Sequence, residues 1–453
     1  MVDATSAGEG LAQSLENIRE DLRPAYFDQL VTAAGQVSSG QQAAVIFDLL
    51  NAAGYYGIDP PPASLSLPAD HRLHLDTGTE WYWLSCNLAV DGSDGQDRIG
   101  VLAVMNRNRV IANAVQQSLG WTDEQCQVVD SAATVTLATR ETGMIIRRRP
   151  NVQWAALGDA VEFLYDPSAT PPFVYRCGAD VFTGGSDQIL PLTVQIDDGD
   201  NLTLDLVMTS DLPGADAWFR QGINGVTPPP KPGIYYSWPQ LSVTGTVTAN
   251  GQTYSVTGTG WIDHQLMMKS VPPPATPPPP SGWLPVQAFD GWSWCQFNLE
   301  NGDAFTVAAF QNGSLQTHVF VPYGFYLRRL PSGWDPIPLM GSMDIDRFIP
   351  VLEEFIQPTA WTYQAATSPL APSAGPVDIE LTAAPWYPDG SFYTGNLAVP
   401  GETPVSVALV DRAAANTATG AGVALTGAGY CESVGYEPPA KYQARALAFL
   451  ASG

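Results

Sequence analysis

The sequence has few basic side chains, and this shortage limits the partners it can bind. Of 453 residues, only 20 are lysine or arginine, against 45 that are acidic, so the formal net charge is −25. The longest basic stretch is the triplet Arg147-Arg148-Arg149. Nucleic acids and anionic membrane surfaces attract basic patches. We therefore expect neither of them as a partner.

Long apolar runs and closely spaced cysteines are also missing. No segment approaches the roughly 18 apolar residues that a membrane-spanning helix needs. The N-terminus lacks the basic start and apolar core of a signal peptide. The five cysteines are far apart and include no C-x-x-C pair, which argues against a disulfide framework or a structural zinc site. The sequence predicts a cytoplasmic protein without stable membrane insertion.

Motifs for common cofactors and nucleophiles are absent as well. There is no G-x-G-x-x-G before a helix, no P-loop and no G-x-S-x-G elbow, so we expect no cofactor and no serine hydrolase chemistry. His71 and His74 have Asp76 nearby, but three such residues do not complete a metal site, and we expect none.

Turn-forming residues are abundant: the chain has 42 glycines and 39 prolines. From about His71 onward they separate short alternating segments, which is typical of mainly β structure. Asn250-Gly251 between two such segments predicts a tight hairpin. The spacing of apolar residues predicts helices within residues 8–56, where Leu11, Leu15, Ile18 and Leu22 recur, and also at residues 343–357 and 441–450.

An internal repeat organises most of the chain. The motif W-x-W-x-x-x-N-L occurs at residues 81–88 and again at 292–299. The motif G-x-G-aromatic-x-acid occurs at residues 258–263 and again at 427–432. Each half thus opens and closes with matching strands, which predicts two homologous β domains.

The proline clusters supply the predicted boundaries, because proline stops helices and stiffens linkers. The predicted units are a helical N-terminal extension (1–62), a first β-barrel (63–270), a proline-rich linker (271–282), a second β-barrel (283–437) and a C-terminal helix (438–453).

Several of these motifs resemble one known family. Glu80-Trp81-Tyr82-Trp83, the segment Tyr235-Tyr236-Ser237-Trp238-Pro239 and the strand ending Trp261-Ile262-Asp263-His264 are similar to motifs of the lipocalin-like carotenoid 1,2-hydratase (hydroxyneurosporene synthase, CrtC/AttH-like) superfamily. The opening and closing strands of the second half resemble that family's second domain. The resemblance covers roughly residues 70–437.

The resemblance implies two consecutive lipocalin-like antiparallel barrels with a ligand pocket inside or between them. Activities in the superfamily include hydration of isoprenoid double bonds and Diels–Alder cyclisation of polyenes. This chain departs from the pattern in two places: Leu266-Met267 follow Asp263-His264-Gln265, and Tyr393-Thr394-Gly395 replace a Trp-Glu-Gly triplet. The second departure removes a carboxylate.

Asp263 and His264 are the strongest candidates for catalytic residues. In a regular strand they face opposite sides, with Trp261 on the side of Asp263, although a bulge could redirect them. Asp263 could be a general acid in an apolar site, with His264 as its partner or as a second donor. Alternatively, Asp263 bonds backbone amides at the barrel rim and His264 caps the contact between domains.

The remaining candidates are aromatic or polar residues in the same motifs. The tryptophan pairs either line a pocket or fill a barrel core. The tyrosines could hydrogen-bond substrate or backbone, and Glu80 could form a salt bridge or line the pocket. The candidate catalytic residues are Asp263, His264 and Tyr236; the candidate substrate-binding residues are Glu80, Trp81, Trp83, Tyr235, Trp238, Trp261, Gln265, Trp292, Trp294 and Tyr393.

These observations favour an enzyme that binds a hydrophobic polyene, polyketide or isoprenoid in a barrel pocket and cyclises it, because the protonating groups look incomplete without the late-strand acid. A hydratase that protonates a C=C bond through Asp263 is the first alternative, and a non-catalytic carrier is the second. A protein with both barrels filled by side chains is a further possibility. The substrate and the oligomeric state do not follow from the sequence.

Overall fold

We describe a computed structural model of the chain. It covers residues 2, 4–18, 20, 23–52, 65–140, 143–220, 226–227, 233–267, 291–311, 323–351, 355–369, 377–386, 392–393, 401–411, 423–434 and 439–452. The proline clusters at 60–62 and 272–280 lie outside these residues, so the predicted domain boundaries stay predictions.

The N-terminal and C-terminal helices form one layer. The described helices are α1 (Ala4–Glu16), α2 (Phe27–Gly35), α3 (Gly40–Ala52), α4 (Asn113–Leu119) and α5 (Pro439–Ser452). Leu11, Leu15 and Ile18 are buried as their spacing predicts, whereas Leu22 lies outside the described residues. Ala446 of α5 belongs to the same apolar core. Both predicted terminal helical regions are therefore confirmed, and they pack together. Within the described part of the chain, none of the helices has both the length and the apolar character required to span a bilayer.

The first sheet is antiparallel and strongly curled. Its strands are β1 (Thr79–Val90), β2 (Arg98–Arg109), β3 (Gln127–Ala138), β4 (Gly143–Arg147), β5 (Asn151–Trp154), β6 (Val161–Tyr165), β7 (Phe173–Cys177), β8 (Asp180–Gly185), β9 (Ile189–Asp197), β10 (Leu202–Thr209), β11 (Phe219–Arg220), β12 (Val226–Thr227), β13 (Gly233–Ala249) and β14 (Gln252–Met267). The main path runs β4-β3-β2-β1-β14-β13-β10-β9-β8-β7-β6.

The second sheet is also antiparallel. Its strands are β15 (Gly291–Leu299), β16 (Ala304–Gln311), β17 (Tyr323–Leu330), β18 (Gly333–Val351), β19 (Phe355–Thr367), β20 (Asp378–Pro385), β21 (Phe392–Tyr393), β22 (Gly401–Asp411) and β23 (Val423–Val434). The path runs β20-β19-β18-β17-β16-β15-β23-β22-β21, and β20 also pairs with β22. The two curled sheets confirm the predicted mainly β fold of two lipocalin-like units.

The predicted hairpin is confirmed, whereas one predicted helix is wrong. Asn250 and Gly251 have φ values of 51° and 77° and join β13 to β14. Of residues 343–357, expected to be helical, residues 343–351 belong to β18 and residues 355–357 to β19. Met343 is buried there and its neighbour Asp344 is exposed. This alternation of period two suits a strand with one buried face, and it overrides the weaker helical spacing.

The repeated motifs lie on neighbouring strands in each sheet. The W-x-W strand β1 pairs with the G-x-G strand β14, and the W-x-W strand β15 pairs with the G-x-G strand β23. The repeated spacing of glycine in the two motifs has a steric reason: a Cβ at Gly258 would lie 2.2 Å from the backbone oxygen of Asn87, and one at Gly427 would lie 2.3 Å from that of Asn298.

The two sheets contact each other through these same strands, with an approximate two-fold relation. The side-chain amide of Asn87 donates to the backbone oxygen of Gly429 over 3.3 Å. Its counterpart in the repeat, Asn298, donates to the backbone oxygen of Gly260 over 3.1 Å. The outward faces of β1 and β14 therefore lie against those of β15 and β23.

Candidate functional site

The predicted residues of the first half lie on three adjacent strands, β1, β14 and β13. Directly opposite residues in antiparallel strands share one face. Two adjacent rows cross the three strands: Trp83, Asp263 and Ser237 form one row, and Tyr82, His264 and Tyr236 form the next. Successive rows face opposite sides of the sheet. The first row faces the second domain, and the second row faces the interior of the first sheet.

The row that faces the second domain holds the buried carboxylate of Asp263. Ser237 donates its hydroxyl proton to Asp263 Oδ1. The indole Nε1 of Trp261 donates to the same oxygen over 2.7 Å, and the phenol of Tyr235 donates to Oδ2 over 2.9 Å. Three donors from two strands therefore converge on one carboxylate.

Aromatic side chains from both sheets enclose this carboxylate. Tyr235 packs on Trp294 with ring centroids 5.6 Å apart. Trp83 meets Tyr430 edge-on at 6.4 Å, and both lie in an apolar cluster that spans the two sheets. The surroundings of Asp263 are thus apolar, apart from its hydrogen-bond donors.

A second carboxylate, Glu432, reaches this region from the second sheet. It lies directly opposite Trp294 in the pairing of β15 with β23. The indole Nε1 of Trp292 donates to Glu432 Oε1 over 2.8 Å. We call the set of Tyr235, Ser237, Trp261, Asp263, Trp292, Trp294 and Glu432 the interface cluster.

The two carboxyl groups both have raised pKa values. Burial raises the pKa of Asp263 to about 6, against the opposing effect of its hydrogen bonds. Burial also raises the pKa of Glu432 to about 7, and the negative charge of Asp263 contributes to that increase. Desolvation disfavours the charged form of a carboxyl group, and a nearby like charge has the same effect. The interface cluster therefore holds a proton near neutral pH.

The opposite row belongs to a buried polar network inside the first sheet. Glu80 is fully buried and accepts hydrogen bonds from the Arg107 guanidinium, 2.8 Å from its Oε2. Burial alone would raise the pKa of Glu80, but Arg107 and His74 hold it well below its usual range. Glu80 is thus the salt-bridge partner that the sequence suggests, and it is a buried one.

His74 and Asp70 extend this network. His74 Nδ1 lies 2.8 Å from Glu80 Oε1, and its Nε2 lies 3.2 Å from Asp70 Oδ1. Burial lowers the pKa of His74, but the two carboxylates outweigh burial and raise it to about 9. His74 is therefore a cation in the folded protein at neutral pH.

The other two buried histidines are neutral. Burial lowers the pKa of His71 to about 4 and also lowers that of His264. His264 Nε2 lies 2.8 Å from Glu80 Oε1, and its Nδ1 lies 2.7 Å from the Tyr236 hydroxyl. Because a carboxylate only accepts hydrogen bonds, the single ring proton of His264 belongs on Nε2. The set of Asp70, His71, His74, Glu80, Arg107, Tyr236 and His264 is called the inner cluster below.

The structure therefore divides the predicted site residues between two faces. Asp263 and His264 point away from each other, as a regular strand requires, so the expectation that His264 partners Asp263 is wrong. The contact of His264 with the domain interface is also wrong, since His264 lies with Glu80 and Tyr236. Trp238 stacks on His71 at 5.5 Å inside the same sheet.

The remaining predicted residues occupy the interface side or lie outside the described side chains. Trp81 and Gln265 are opposite each other in the pairing of β1 with β14, and both are partly buried. Tyr393 is opposite Gly401 in the pairing of β21 with β22, and the expectation about its side chain lies outside the described residues.

Sequence reasoning missed Ser237, Glu432 and most of the inner cluster. Glu432 carried a usable signal, because it occupies the position of Asp263 in the repeated G-x-G-aromatic-x-acid motif. Ser237 lies inside a quoted motif. Asp70 and His71 lie in a short 3-10 turn, and no periodic pattern connects that turn to Arg107.

Comparison with known proteins identifies relatives of this chain. A family model described as AttH-like matches residues 59–321, which confirms the resemblance seen in the sequence. A search of curated protein sequences finds no significant match.

Two solved structures share the fold. A protein of Nitrosomonas europaea assigned to AttH has a TM-score of 0.57 at 18% identity, covering 84% of this chain and 100% of its own. Kievitone hydratase from Nectria haematococca has a TM-score of 0.52 at 14% identity, covering 84% and 97%. CghA with Sch210972 aligns over 84% and 96% at 10% identity with a TM-score of 0.43.

Proposed function

This chain belongs to the AttH-like family, and on that basis we propose that it is a cofactor-independent enzyme that adds water across a C=C bond of a hydrophobic isoprenoid or polyene. The reaction takes place in the interface cluster. One observation carries the proposal: the carboxyl of Asp263 is buried between the two sheets, beside a second carboxyl, Glu432, whose pKa it raises.

Two carboxyl groups of this kind match the chemistry of hydration. One protonated carboxyl gives its proton to one carbon of the C=C bond, whose π electrons form the new C–H bond. The second carbon becomes a cation, and the oxygen of water forms a bond to it. The second carboxyl, which is ionised, then takes a proton from that water. General acid and general base catalysis of this type works best when the pKa values lie near the working pH.

The aromatic residues of the cluster suit the cation formed in this reaction. The faces of Trp261, Trp294 and Tyr235 carry negative electrostatic potential, which attracts positive charge. Pockets lined by aromatic side chains also bind flat hydrophobic chains, and a few polar groups at fixed positions orient the ligand.

Glu432 changes the argument between hydration and cyclisation. On the sequence alone, Tyr393-Thr394-Gly395 lacks the acid of the family pattern, which favours cyclisation. Cyclisation requires only that the substrate is held in its reactive conformation and that one hydrogen-bond donor contacts it. A carboxylate from β23 supplies a second acid at a different position. Hydration therefore has both of the groups that it requires.

The test is to follow oxygen from water into product. The full chain is incubated in ¹⁸O-labelled water with an apolar extract of the cells that naturally make it, and products are analysed by mass spectrometry. We expect a product that carries one labelled oxygen. Asp263→Asn should abolish it, and Asp205→Asn, which changes an exposed aspartate on β10, should not.

Two results would contradict hydration. A rearranged product with the mass of its precursor and no label would indicate cyclisation. A compound that binds tightly but is recovered unchanged would indicate a carrier.

A further inference from the structure

We propose that Glu432 carries the shared proton of the interface cluster and protonates the substrate, while Asp263 stays ionised and takes the proton from the attacking water. This assignment rests on the proposed function for its chemical role. The location of the proton, however, can be measured without any substrate.

The repeat brings the two carboxyl groups together. Asp263 and Glu432 occupy the same position in the closing strands β14 and β23, whose outward faces meet at the domain interface. Trp294 connects them: it lies opposite Glu432 in the β15–β23 pairing and packs on Tyr235, which donates to Asp263. The approximate two-fold relation thus places two equivalent acids at one interface.

Their hydrogen bonds are not equivalent, and the difference determines where the proton lies. Asp263 accepts from Ser237, Trp261 and Tyr235. The indole N–H of Trp261 can only donate, so it always favours the carboxylate form. Among the described residues, Glu432 accepts one such bond, from Trp292. Hydrogen bonds therefore stabilise the ionised form of Asp263 more than that of Glu432, and the proton belongs on Glu432.

No positive charge counteracts this preference among the described residues, since neither Asp263 nor Glu432 takes part in an ion pair there. Among the described side chains, the other titratable group that contacts the pair is Tyr235, which donates to Asp263. In the backbone pairing of β22 with β23, residue Glu402 lies opposite Glu432. Without a nearby cation, two close carboxylates do not both ionise at neutral pH.

The pKa shifts indicate that the pair retains a proton, and the hydrogen bonds indicate which group has it. Burial raises the pKa of both carboxyl groups, to about 6 for Asp263 and to about 7 for Glu432. The three donors to Asp263 favour its ionised form, so Glu432 is the protonated acid and Asp263 is the ionised base.

One further group fits a substrate oxygen. The indole Nε1 of Trp294 is buried and makes no hydrogen bond of good geometry to a described residue, but it lies close enough to Asp263 for a weak hydrogen bond that lowers the pKa of the carboxyl. In the proposed step, the water forms its C–O bond and loses a proton to Asp263. The indole N–H of Trp294 can donate to that oxygen throughout.

The decisive experiment is a ¹³C NMR titration of the full chain labelled at aspartate and glutamate carboxyl carbons. Asp263→Asn and Glu432→Gln assign the two signals, and near-ultraviolet circular dichroism confirms that each variant is folded. We expect Glu432 to titrate at a higher pH than Asp263, and both to titrate above pH 5. A midpoint for Asp263 above that of Glu432, or both midpoints below pH 5, would overturn the assignment.

A second variant tests the reason for the asymmetry. Trp292→Phe removes the hydrogen bond to Glu432 Oε1, so the midpoint of Glu432 should rise. The matched change Trp261→Phe removes a bond to Asp263, so the midpoint of Asp263 should rise and approach that of Glu432. A Glu432 midpoint that falls in Trp292→Phe would contradict the argument.

Measurements of turnover distinguish a failure of this proposal from a failure of the proposed function. If hydration is observed, the residual turnover of Glu432→Gln should no longer fall at alkaline pH, because the acid that loses its proton there has been removed. It should still fall at acidic pH, because the base Asp263 remains and becomes protonated there. A variant that loses the fall at acidic pH instead would show that the two roles are reversed. If no hydration is observed but Glu432 still titrates above Asp263, the proposed function fails, whereas the proton location stands.

Discussion

Asp263 and His264 are neighbours in the chain, yet their side chains lie on opposite sides of one sheet and in different clusters. Asp263 accepts a 2.7 Å hydrogen bond from Trp261 at the domain interface. His264 lies 2.8 Å from Glu80 inside the first sheet. A motif that reads as one catalytic pair is therefore divided by the two-residue period of the strand.

This division suggests different roles for the two clusters. The inner cluster pairs its charges internally: Glu80 faces Arg107 and His74. We therefore expect it to stabilise the fold. The interface cluster instead retains two carboxyl groups without a cation among the described residues, which is costly for stability and suits acid–base chemistry.

Replacing Glu80 by glutamine should strongly destabilise the protein. The change leaves Arg107 and His74 as buried positive charges without their carboxylate, which costs about 3–5 kcal/mol when one partner of a buried ion pair is removed. The free energy of unfolding is measured with urea. The control Glu124→Gln changes an exposed glutamate and should alter it by less than about 0.5 kcal/mol. A loss below 1 kcal/mol in Glu80→Gln would show that the charges are not buried together.

His74 should make stability depend on pH above neutrality. Its pKa is about 9 in the folded protein against an ordinary value of 6.5, so the folded state holds the proton more tightly. The resulting stabilisation, about 3 kcal/mol, is fully present below pH 6.5 and is lost as pH rises through 9. Between pH 6 and pH 9.5, the free energy of unfolding measured with urea should fall more for the wild type than for His74→Gln. An equal fall in both proteins would contradict the raised pKa of His74.

Gly258→Ala should disrupt the pairing of β14 with β1. The new Cβ would lie 2.2 Å from the backbone oxygen of Asn87, so the strands must separate, at a cost of about 2–3 kcal/mol. Gly427→Ala should behave alike, because its Cβ would meet Asn298 in the same way. Gly35→Ala is the control, since nothing lies within 4 Å of its Cβ and it should be neutral or slightly stabilising. Similar unfolding curves for all three variants would contradict the close approach.

Local patterns in the sequence predicted much of the fold. Asn250-Gly251 marked the hairpin, and the repeated W-x-W and G-x-G motifs marked the strands that pair in each half. The helix expected at residues 343–357 failed because apolar spacing in a short segment also fits a strand, and only its partner strands decide between them.

The candidate site was predicted less completely, for a physical reason. Alternation along β14 correctly separates Asp263 from His264, but it does not show which residues meet them from other strands. Arg107 joins His74 through a turn whose position depends on the folded sheet. Glu432 meets Asp263 only because two whole domains pack together. Contacts between distant segments leave little trace in a single sequence, and the repeat was the one trace available.

The most direct measurement compares ¹⁸O incorporation from labelled water by Asp263→Asn and by His264→Gln, with each variant adjusted to the same folded fraction. Glutamine at 264 retains an amide that can donate toward Glu80. If hydration occurs at the interface, Asp263→Asn should lose at least about a hundredfold in turnover, whereas His264→Gln should stay within about threefold of the wild type. Full loss in His264→Gln together with retained turnover in Asp263→Asn would place the chemistry inside the first sheet and contradict the account.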